Sequence, residues 1–336
     1  MDLPVGKSYE EIYDKFTWDI PEYFNIADAV CDRWADDPNL IALSHEAIDG
    51  SVIDYSFAQI KQYSSQLANL MASLDVSQGD RVVVMLTQSP ECAISHLACF
   101  KSGIVSCLAS VLFGPDGIQH RLQATGAKVC ITNTANLDKV RAVKSSCPEL
   151  RHIIVTDSVT DSVTDSEAGQ GTVPFWRSLA QQLETFQNVK TRSEDTAWIS
   201  FTSGTTGQPK GVLMPHRLLL GNKPLFEYYY DYGPRQNDRL WSPADWAWIA
   251  GLINILLIGW YSGARVVSTD MQGFNAQEAF RILGEHKITV SLLTPTVLKL
   301  MRQIDADESQ KLDLRVVLSG GEAVGKALAL WADKRF

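Results

Sequence analysis

Residues 197–214 read AWISFTSGTTGQPKGVLM, and this stretch decides how the rest of the chain is interpreted. The apolar run 197–201 predicts a buried β-strand, and 212–214 predict another short strand. Between the two strands, residues 202–211 contain three glycines, four hydroxyl side chains and one lysine. A flexible Ser/Thr/Gly linker does not explain ten residues in this specific order, ending in Pro-Lys-Gly, directly after a buried strand. We therefore expect a turn with a defined backbone conformation here.

The composition of this turn is suited to phosphate. Glycines let the backbone turn sharply and bring its N–H groups against an anion, hydroxyls donate to phosphate oxygens, and a lysine adds a point charge. The loop is not a Walker A loop, because Lys210 follows Pro209, and it is not a dinucleotide-binding G-x-G-x-x-G. It suits the β- and γ-phosphates of a nucleotide. The predicted phosphate ligands are Thr202, Ser203, Gly204, Thr205, Thr206, Gly207 and Lys210.

Strand-like and helix-like segments alternate on both sides of the loop, which predicts an α/β fold with mainly parallel sheets flanked by helices. Predicted strands are 81–87, 104–110, 128–132, 152–156, 197–201, 264–268, 289–293 and 315–318. Predicted helices are 90–103, 118–124, 136–146, 276–285, 295–303 and 324–331. The polar repeat TDSVTDSVTDSE and the residues after it, 156–171, predict a surface loop.

Composition excludes several classes of function. The chain has 336 residues, enough for two lobes, and a net charge of −9, which argues against general binding to nucleic acid or to an anionic membrane. No secretory signal pattern is visible at the start, and the most apolar stretch, 248–260, is too short to span a bilayer and predicts a buried helix. A cytoplasmic location is the resulting expectation.

The six cysteines form no C-x-x-C pair and do not indicate an oxidising compartment. Cys92, His96 and Cys99 share one helical face, which is compatible with a partial metal site. Apolar neighbours and the lack of a fourth ligand favour a packed face instead. We expect no metal site among them.

The run 202–211 closely resembles the signature loop of the adenylate-forming family, which includes acyl-CoA synthetases, luciferases and peptide-synthetase adenylation domains. The resemblance implies that this loop holds the terminal phosphates of ATP while a carboxylate attacks the α-phosphorus. Acyl-AMP and pyrophosphate form first, and in the CoA ligases a thiol then displaces AMP. The implied ligands are thus ATP, Mg²⁺, CoA and a small carboxylic acid.

Two further segments resemble the family in the expected order. Strand 314–318 leads into Gly320, Gly321, Glu322 and Ala323, similar to the loop that lies along the adenine, with Ala323 where proline is usual; a glycine turn before a helix is the alternative. Segment 242–251 resembles the acyl-site segment of acetyl- and medium-chain acyl-CoA synthetases.

In that segment Trp246, Trp248 and Gly251 are the predicted acyl pocket, and Asp245 is a possible site residue that can cap the nearby helix. Either tryptophan could equally belong to the core. His216 coincides with a histidine frequent after the phosphate loop, with a helix-start histidine as the equal alternative.

The resemblance covers nearly the whole chain, so 1–336 is interpreted as an incomplete N-terminal AMP-binding domain of the acetyl/medium-chain branch. The expected lobes are 76–225, with the phosphate loop, and 20–75 plus 226–336, with the acyl pocket and adenine loop. One departure is 104–114, where the family usually has a proline after the strand.

The family would continue past Phe336 with a Thr-Glu motif whose Glu meets Mg²⁺, an Asp for the ribose and the lysine of the adenylation step. The expectation is therefore that this chain binds ATP or AMP but turns over poorly, and the oligomeric state is left open. The alternatives are a non-catalytic nucleotide-binding or interaction protein derived from a truncated ligase, and a carrier-protein adenylation domain.

Overall fold

The computed structural model describes residues 6–157, 172–202, 207–271, 273–304 and 311–336. Two β-sheets organise these residues, one of seven strands and one of six, and helices pack against both. The α/β fold class expected from the alternating pattern is confirmed.

The seven-stranded sheet has the order β7-β6-β5-β3-β4-β8-β9, and every neighbouring pair is parallel except β8 with β9. The central strands are short β-branched runs buried on both faces, as parallel strands covered by helices must be. Its strands are β3 (Arg81–Val84), β4 (Val105–Leu108), β5 (Val129–Thr132), β6 (His152–Val155), β7 (Thr172–Pro174), β8 (Thr196–Thr202) and β9 (Lys210–Pro215).

The six-stranded sheet has the order β13-β12-β10-β11-β1-β2, and only the β1–β2 pair is antiparallel. Residues from the start of the chain thus pair with strands from its last third. Its strands are β1 (Ile41–Glu46), β2 (Val52–Ser56), β10 (Arg239–Trp241), β11 (Arg265–Thr269), β12 (Val290–Leu292) and β13 (Val316–Leu318).

The helices begin where the sequence provides caps. Ser89 caps the helix that starts at Pro90, and Thr294 caps the one that starts at Pro295, so each places proline where its missing N–H costs nothing. The α-helices are α1 (Tyr9–Lys15), α2 (Ile26–Val30), α3 (Phe57–Ser73), α4 (Pro90–Lys101), α5 (Pro115–Thr125), α6 (Thr134–Lys144), α7 (Phe175–Leu179), α8 (Leu218–Tyr229), α9 (Ile249–Gly251), α10 (Ile258–Tyr261), α11 (Ala276–Glu285), α12 (Pro295–Gln303) and α13 (Lys326–Arg335). A 3₁₀ turn spans Asp32–Trp34 and a π-helical stretch spans Leu252–Leu257.

The apolar stretch 248–260 differs from its prediction at its start. Trp248 is 49% exposed, and the helix begins after it and changes to π-helical geometry at Leu252. Residues 252–258 are otherwise buried apart from Asn254, so the interpretation as a buried helix is confirmed for that part. No helix in the described residues is both long enough and apolar enough to cross a membrane.

One apolar core is shared by both sheets. It includes Val82 and Trp198 from the seven-stranded sheet, Leu43 and Val266 from the six-stranded sheet, and the fully buried Trp260. The indole N–H of Trp260 donates to the Ala42 carbonyl at 2.8 Å, so this large side chain is satisfied where it is buried.

A buried ion pair ties the N-terminal segment to α4. The Lys101 side chain is fully buried, and its ammonium donates to both carboxylate oxygens of Asp32, at 2.5 and 2.6 Å. The amide of Asn188 also donates to Asp32, at 2.7 Å. The Lys101 charge is therefore stable in the interior only while this carboxylate is present.

Replacing Asp32 with alanine should lower the free energy of unfolding by about 3–5 kcal/mol, because it leaves the Lys101 ammonium buried without its counter-charge. Glu11→Ala, which removes the exposed Lys15–Glu11 pair, should cost far less, because solvent screens that pair. Urea unfolding of both variants measures the difference. Equal decreases in the free energy of unfolding would show that the buried Lys101–Asp32 pair matters no more for stability than the exposed pair.

Candidate functional site

The predicted phosphate loop connects two antiparallel strands at the edge of the seven-stranded sheet. Thr202, the last residue of β8, pairs with Lys210, the first residue of β9. Thr202, Gly207 and Lys210 are exposed, and Gly207 has a φ of +94° with open space around it, a conformation that favours glycine. Ser203, Gly204, Thr205 and Thr206 lie outside the described residues.

The predicted adenine loop follows β13 of the other sheet. Gly320, Gly321, Glu322 and Ala323 are all exposed, and Gly321 has a φ of +89°. The Thr296 hydroxyl donates to Glu322 Oε1 at 2.6 Å, and the Lys299 ammonium lies 3.7 Å from Oε2. The Glu322 side chain is thus held by α12, and the glycine backbone is open to solvent.

Parallel pairing brings two predicted site segments to one edge of the six-stranded sheet: residues 242–251, called here the acid segment, and residues 319–323, the adenine loop. β10, β12 and β13 are parallel neighbours, so the residues that follow each of them leave at the same edge. Segment 242–251 follows β10, and residues 319–323 follow β13. Ligands of open α/β sheets bind at the carboxyl ends of the strands, which is where both segments lie.

A cavity of about 600 Å³ opens between the carboxyl ends of the two sheets. Its lining combines residues that follow β3, β4 and β5 with residues that follow β10 and β11. Among them are Thr87, Leu112, Asn133, Asp245 and Asp270. The cavity is large enough for a small organic molecule.

Gln88 joins the two sheets beside this cavity. Its side-chain amide donates to the carbonyls of Ser242 and Ala244, at 2.9 and 2.7 Å. The side chain is buried, so both bonds form where water does not compete strongly. Gln88 therefore fixes the start of the acid segment to the strand end of β3. Nothing in the sequence pattern had distinguished this glutamine.

Asp245 lies at the cavity wall in a tight turn. Its carboxylate accepts from the backbone N–H of Ala247 at 3.2 Å, and its carbonyl accepts from the N–H of Trp248 at 3.1 Å. It therefore caps this turn and not helix α9, which starts four residues later. Burial raises the pKa of Asp245, while the turn N–H groups lower it. The charged carboxylate thus destabilises the fold progressively as pH rises through that pKa.

The two predicted acyl-pocket tryptophans occupy different environments. Trp246 is completely buried in the shared core. Trp248 is half exposed, and its ring meets the ring of Phe113 edge-on with 6.3 Å between centroids. Trp248 is therefore the one of the pair that an external ligand reaches without repacking the core. Both roles stay predictions.

Gly251 is required by close packing against the acid segment. A Cβ atom at this position would lie 2.5 Å from the Asp245 carbonyl oxygen and 2.6 Å from that of Ala244. Both contacts are with backbone atoms, which cannot move aside as a flexible side chain would. The glycine therefore lets the helix approach the turn that presents Asp245.

His216 lies at the opposite end of the β8–β9 hairpin from the phosphate loop, about 20 Å along a six-residue strand. It is fully buried, its Nδ1 accepts from the Ile26 N–H at 3.2 Å, and it packs on Phe100. Burial lowers the pKa of His216 to about 4, so it is neutral at physiological pH. The structure does not bring His216 together with the other predicted site residues.

Cys92, His96 and Cys99 lie on the buried face of α4, as the packing interpretation predicts. His96 Nδ1 is hydrogen-bonded to the Ser106 hydroxyl at 2.7 Å, and burial lowers the pKa of His96 to about 3. In the described ranges no group of three or more His, Cys, Asp or Glu side chains could hold a metal ion. Every cysteine is free and buried.

This geometry agrees with the sequence profile of a known family. Residues 28–336 match the AMP-binding enzyme family. The chain belongs to this family, and its matched region includes the phosphate loop, the acid segment and the adenine loop.

Individual relatives are acyl-CoA synthetases. Human mitochondrial acyl-coenzyme A synthetase ACSM3 is 28% identical over 326 residues, which are 94% of this chain and 54% of that protein. The acetyl-coenzyme A synthetase of Chromobacterium violaceum is 27% identical, over 87% of this chain and 47% of its own. This chain thus spans about half the length of the curated relatives it matches.

Solved structures share the fold. An acyl-CoA synthetase from Brucella canis superposes with a TM-score of 0.84 at 25% identity, covering 97% of this chain and 59% of that one. The anthranilate CoA ligase AuaEII, solved with anthranoyl-AMP, also has a TM-score of 0.84, at 24% identity over 94% of this chain and 58% of its own. The second similarity concerns the fold alone.

Replacing Gly251 with alanine should lower the free energy of unfolding by about 1–3 kcal/mol, because the new Cβ overlaps two carbonyl oxygens. Gly221→Ala is the matched control, since Gly221 is an exposed glycine within α8 with nothing near its Cβ position. That change should stabilise the fold by about 0.5–1 kcal/mol, because alanine favours a helix. Chemical denaturation compares the two, and a neutral Gly251→Ala would contradict the close-packing role.

Proposed function

We propose that this chain provides the ATP-binding and acid-binding part of an enzyme that activates a carboxylic acid to acyl-AMP and then to acyl-CoA. The observation that carries the proposal is the β8–β9 hairpin. Its two strands end at a loop whose residue types suit phosphate binding, and Thr202, Gly207 and Lys210 of that loop are exposed. Membership in the AMP-binding enzyme family supports the assignment of ATP. The names of the relatives support CoA as the second substrate.

In this proposal each segment has a separate task. The loop 202–210 binds the terminal phosphates through backbone N–H groups, hydroxyls and the Lys210 ammonium. Residues 320–323 lie along the adenine with their glycine backbone. Trp248 and the cavity beside Asp245 receive the acid, whose carboxylate attacks the α-phosphorus of ATP and releases pyrophosphate.

The acid is proposed to be an apolar aliphatic or aryl carboxylic acid. The half-exposed Trp248 ring, which meets the Phe113 ring edge-on, provides a rigid apolar surface for such a group. Among the described residues no group of three or more His, Cys, Asp or Glu side chains could hold a metal ion. We therefore assign no step of the reaction to a metal bound by this chain.

The same proposal divides the chain into two lobes, 76–225 and 20–75 plus 226–336. The strands of the seven-stranded sheet all fall within the first range, and those of the six-stranded sheet all fall within the second. The predicted nucleotide site then lies between the lobes, with phosphates on the first and adenine on the second.

Lys210→Ala should weaken ATP binding about tenfold, because it removes a cation from the terminal phosphates. Binding of AMP, which lacks those phosphates, should change by less than about twofold. Isothermal titration calorimetry measures both affinities. Lys334→Ala, at an exposed lysine of the last helix, is the control and should change neither. Unchanged ATP affinity in Lys210→Ala would refute the loop assignment.

The 336-residue chain by itself should catalyse ATP–pyrophosphate exchange at less than about one hundredth of the rate of a full-length relative. Charge that develops at a phosphoryl centre is normally neutralised by a metal and a cation together. The family resemblance assigns the Glu that meets Mg²⁺ and the lysine of the adenylation step to sequence that would follow Phe336. Exchange of radiolabelled pyrophosphate into ATP, with several carboxylic acids, measures the rate. A rate equal to that of the relative would contradict this division of roles.

A further inference from the structure

Helix α5 contacts both ends of the predicted phosphate loop. Two neighbouring residues of this helix, His120 and Arg121, contact the strand that enters the loop and the segment that leaves it. We propose that His120 and Arg121 are positioning residues for the phosphate loop, holding Pro209 and Phe201 so that the loop ends stay fixed for a triphosphate. This inference rests on the proposed function, because it assigns the contacts to nucleotide binding.

His120 fixes the segment that leaves the loop. Its Nε2–H donates to the carbonyl of Pro209 at 2.7 Å, and a carbonyl can only accept, so this nitrogen carries the proton. Pro209 directly precedes Lys210, so the bond fixes the backbone that carries the predicted phosphate-binding ammonium. The His120 ring also meets Phe201 edge-on, with 5.9 Å between centroids.

Arg121 fixes the strand that enters the loop. Its guanidinium carbon lies 3.6 Å from the ring centroid of Phe113 and 5.0 Å from that of Phe201, so the cation is placed between two aromatic rings. Phe201 is the residue before Thr202. The ring on the other side, Phe113, contacts Trp248, and the stack therefore reaches the acid segment as well.

The burial of Arg121 is unusual for a residue that only fills space. Arg121 is 7% exposed, and its Nη1 donates to the Gly117 carbonyl, but its Nε has no hydrogen-bond partner. Burial also lowers the pKa of Arg121. An apolar side chain would fill the same space without this desolvation cost.

The experiment compares the affinities of the 336-residue chain for ATP and for AMP by isothermal titration calorimetry. Fixed loop ends matter for the terminal phosphates, so loss of either contact should weaken ATP and leave AMP nearly unchanged. His120→Ala should raise the Kd for ATP about fivefold, the loss expected for one hydrogen bond. His120→Gln retains an N–H donor of similar reach and should restore most of the affinity.

Arg121→Met retains the length of the side chain and removes the planar cation, so the Kd for ATP should rise about tenfold. Arg121→Lys retains the charge and should fall between Met and the original residue. The matched control is Gln123→Ala, which removes a side-chain bond from the exposed side of the same helix, to the Ser146 carbonyl. It should change neither affinity.

Circular dichroism and thermal unfolding establish whether each variant is folded. If Arg121→Met does not fold, the comparison of His120→Ala with His120→Gln still tests the positioning role. Equal loss of ATP and AMP affinity, or no loss in either, would overturn the positioning role while the proposed function stands. A wild-type chain that binds neither nucleotide would overturn the proposed function itself, and this inference with it.

Discussion

The candidate site depends on one topological constraint, which is that β9 returns antiparallel beside β8 at the edge of an otherwise parallel sheet. Because Thr202 pairs with Lys210, the intervening residues must leave and re-enter the sheet at the carboxyl end of β8. That end is where ligands of open α/β sheets bind. Backbone pairing therefore brings Thr202 and Lys210, the two ends of the loop, together at the carboxyl end of β8.

The second sheet forms the other wall of the cavity. Parallel pairing of β10, β12 and β13 brings the acid segment and the adenine loop to the corresponding edge of the six-stranded sheet. The Gln88 side chain then fixes the two sheets together through two carbonyls of the acid segment. Ordinary sheet pairing and one buried amide thus account for a cavity between segments that are far apart in sequence.

Much of this architecture could be predicted from the sequence because short local patterns determine it. The β-branched run at Arg81–Val84, the proline starts at Pro90 and Pro295, and the glycine-rich turn after Phe201 each indicate their structure without reference to the rest of the chain. The π-helical geometry at Leu252–Leu257 could not be predicted, since a run of six residues is too short for its i→i+5 spacing to show in the sequence pattern. Membership in the adenylate-forming family is confirmed, whereas the roles of individual site residues stay predictions.

Contacts between distant segments were beyond local patterns. Gln88 and His120 are unremarkable polar residues in sequence, and only the fold shows which carbonyls they reach. Arg121 did leave a signal, a charged residue on the buried face that Ile118, Leu122 and Thr125 define. The most direct test of the central claim is a crystal structure of this chain with a non-hydrolysable ATP analogue. We expect the backbone N–H groups between Thr202 and Lys210 to contact the β- and γ-phosphates. A nucleotide bound elsewhere, with those N–H groups bonded to neighbouring strands, would contradict the assignment of the phosphate loop.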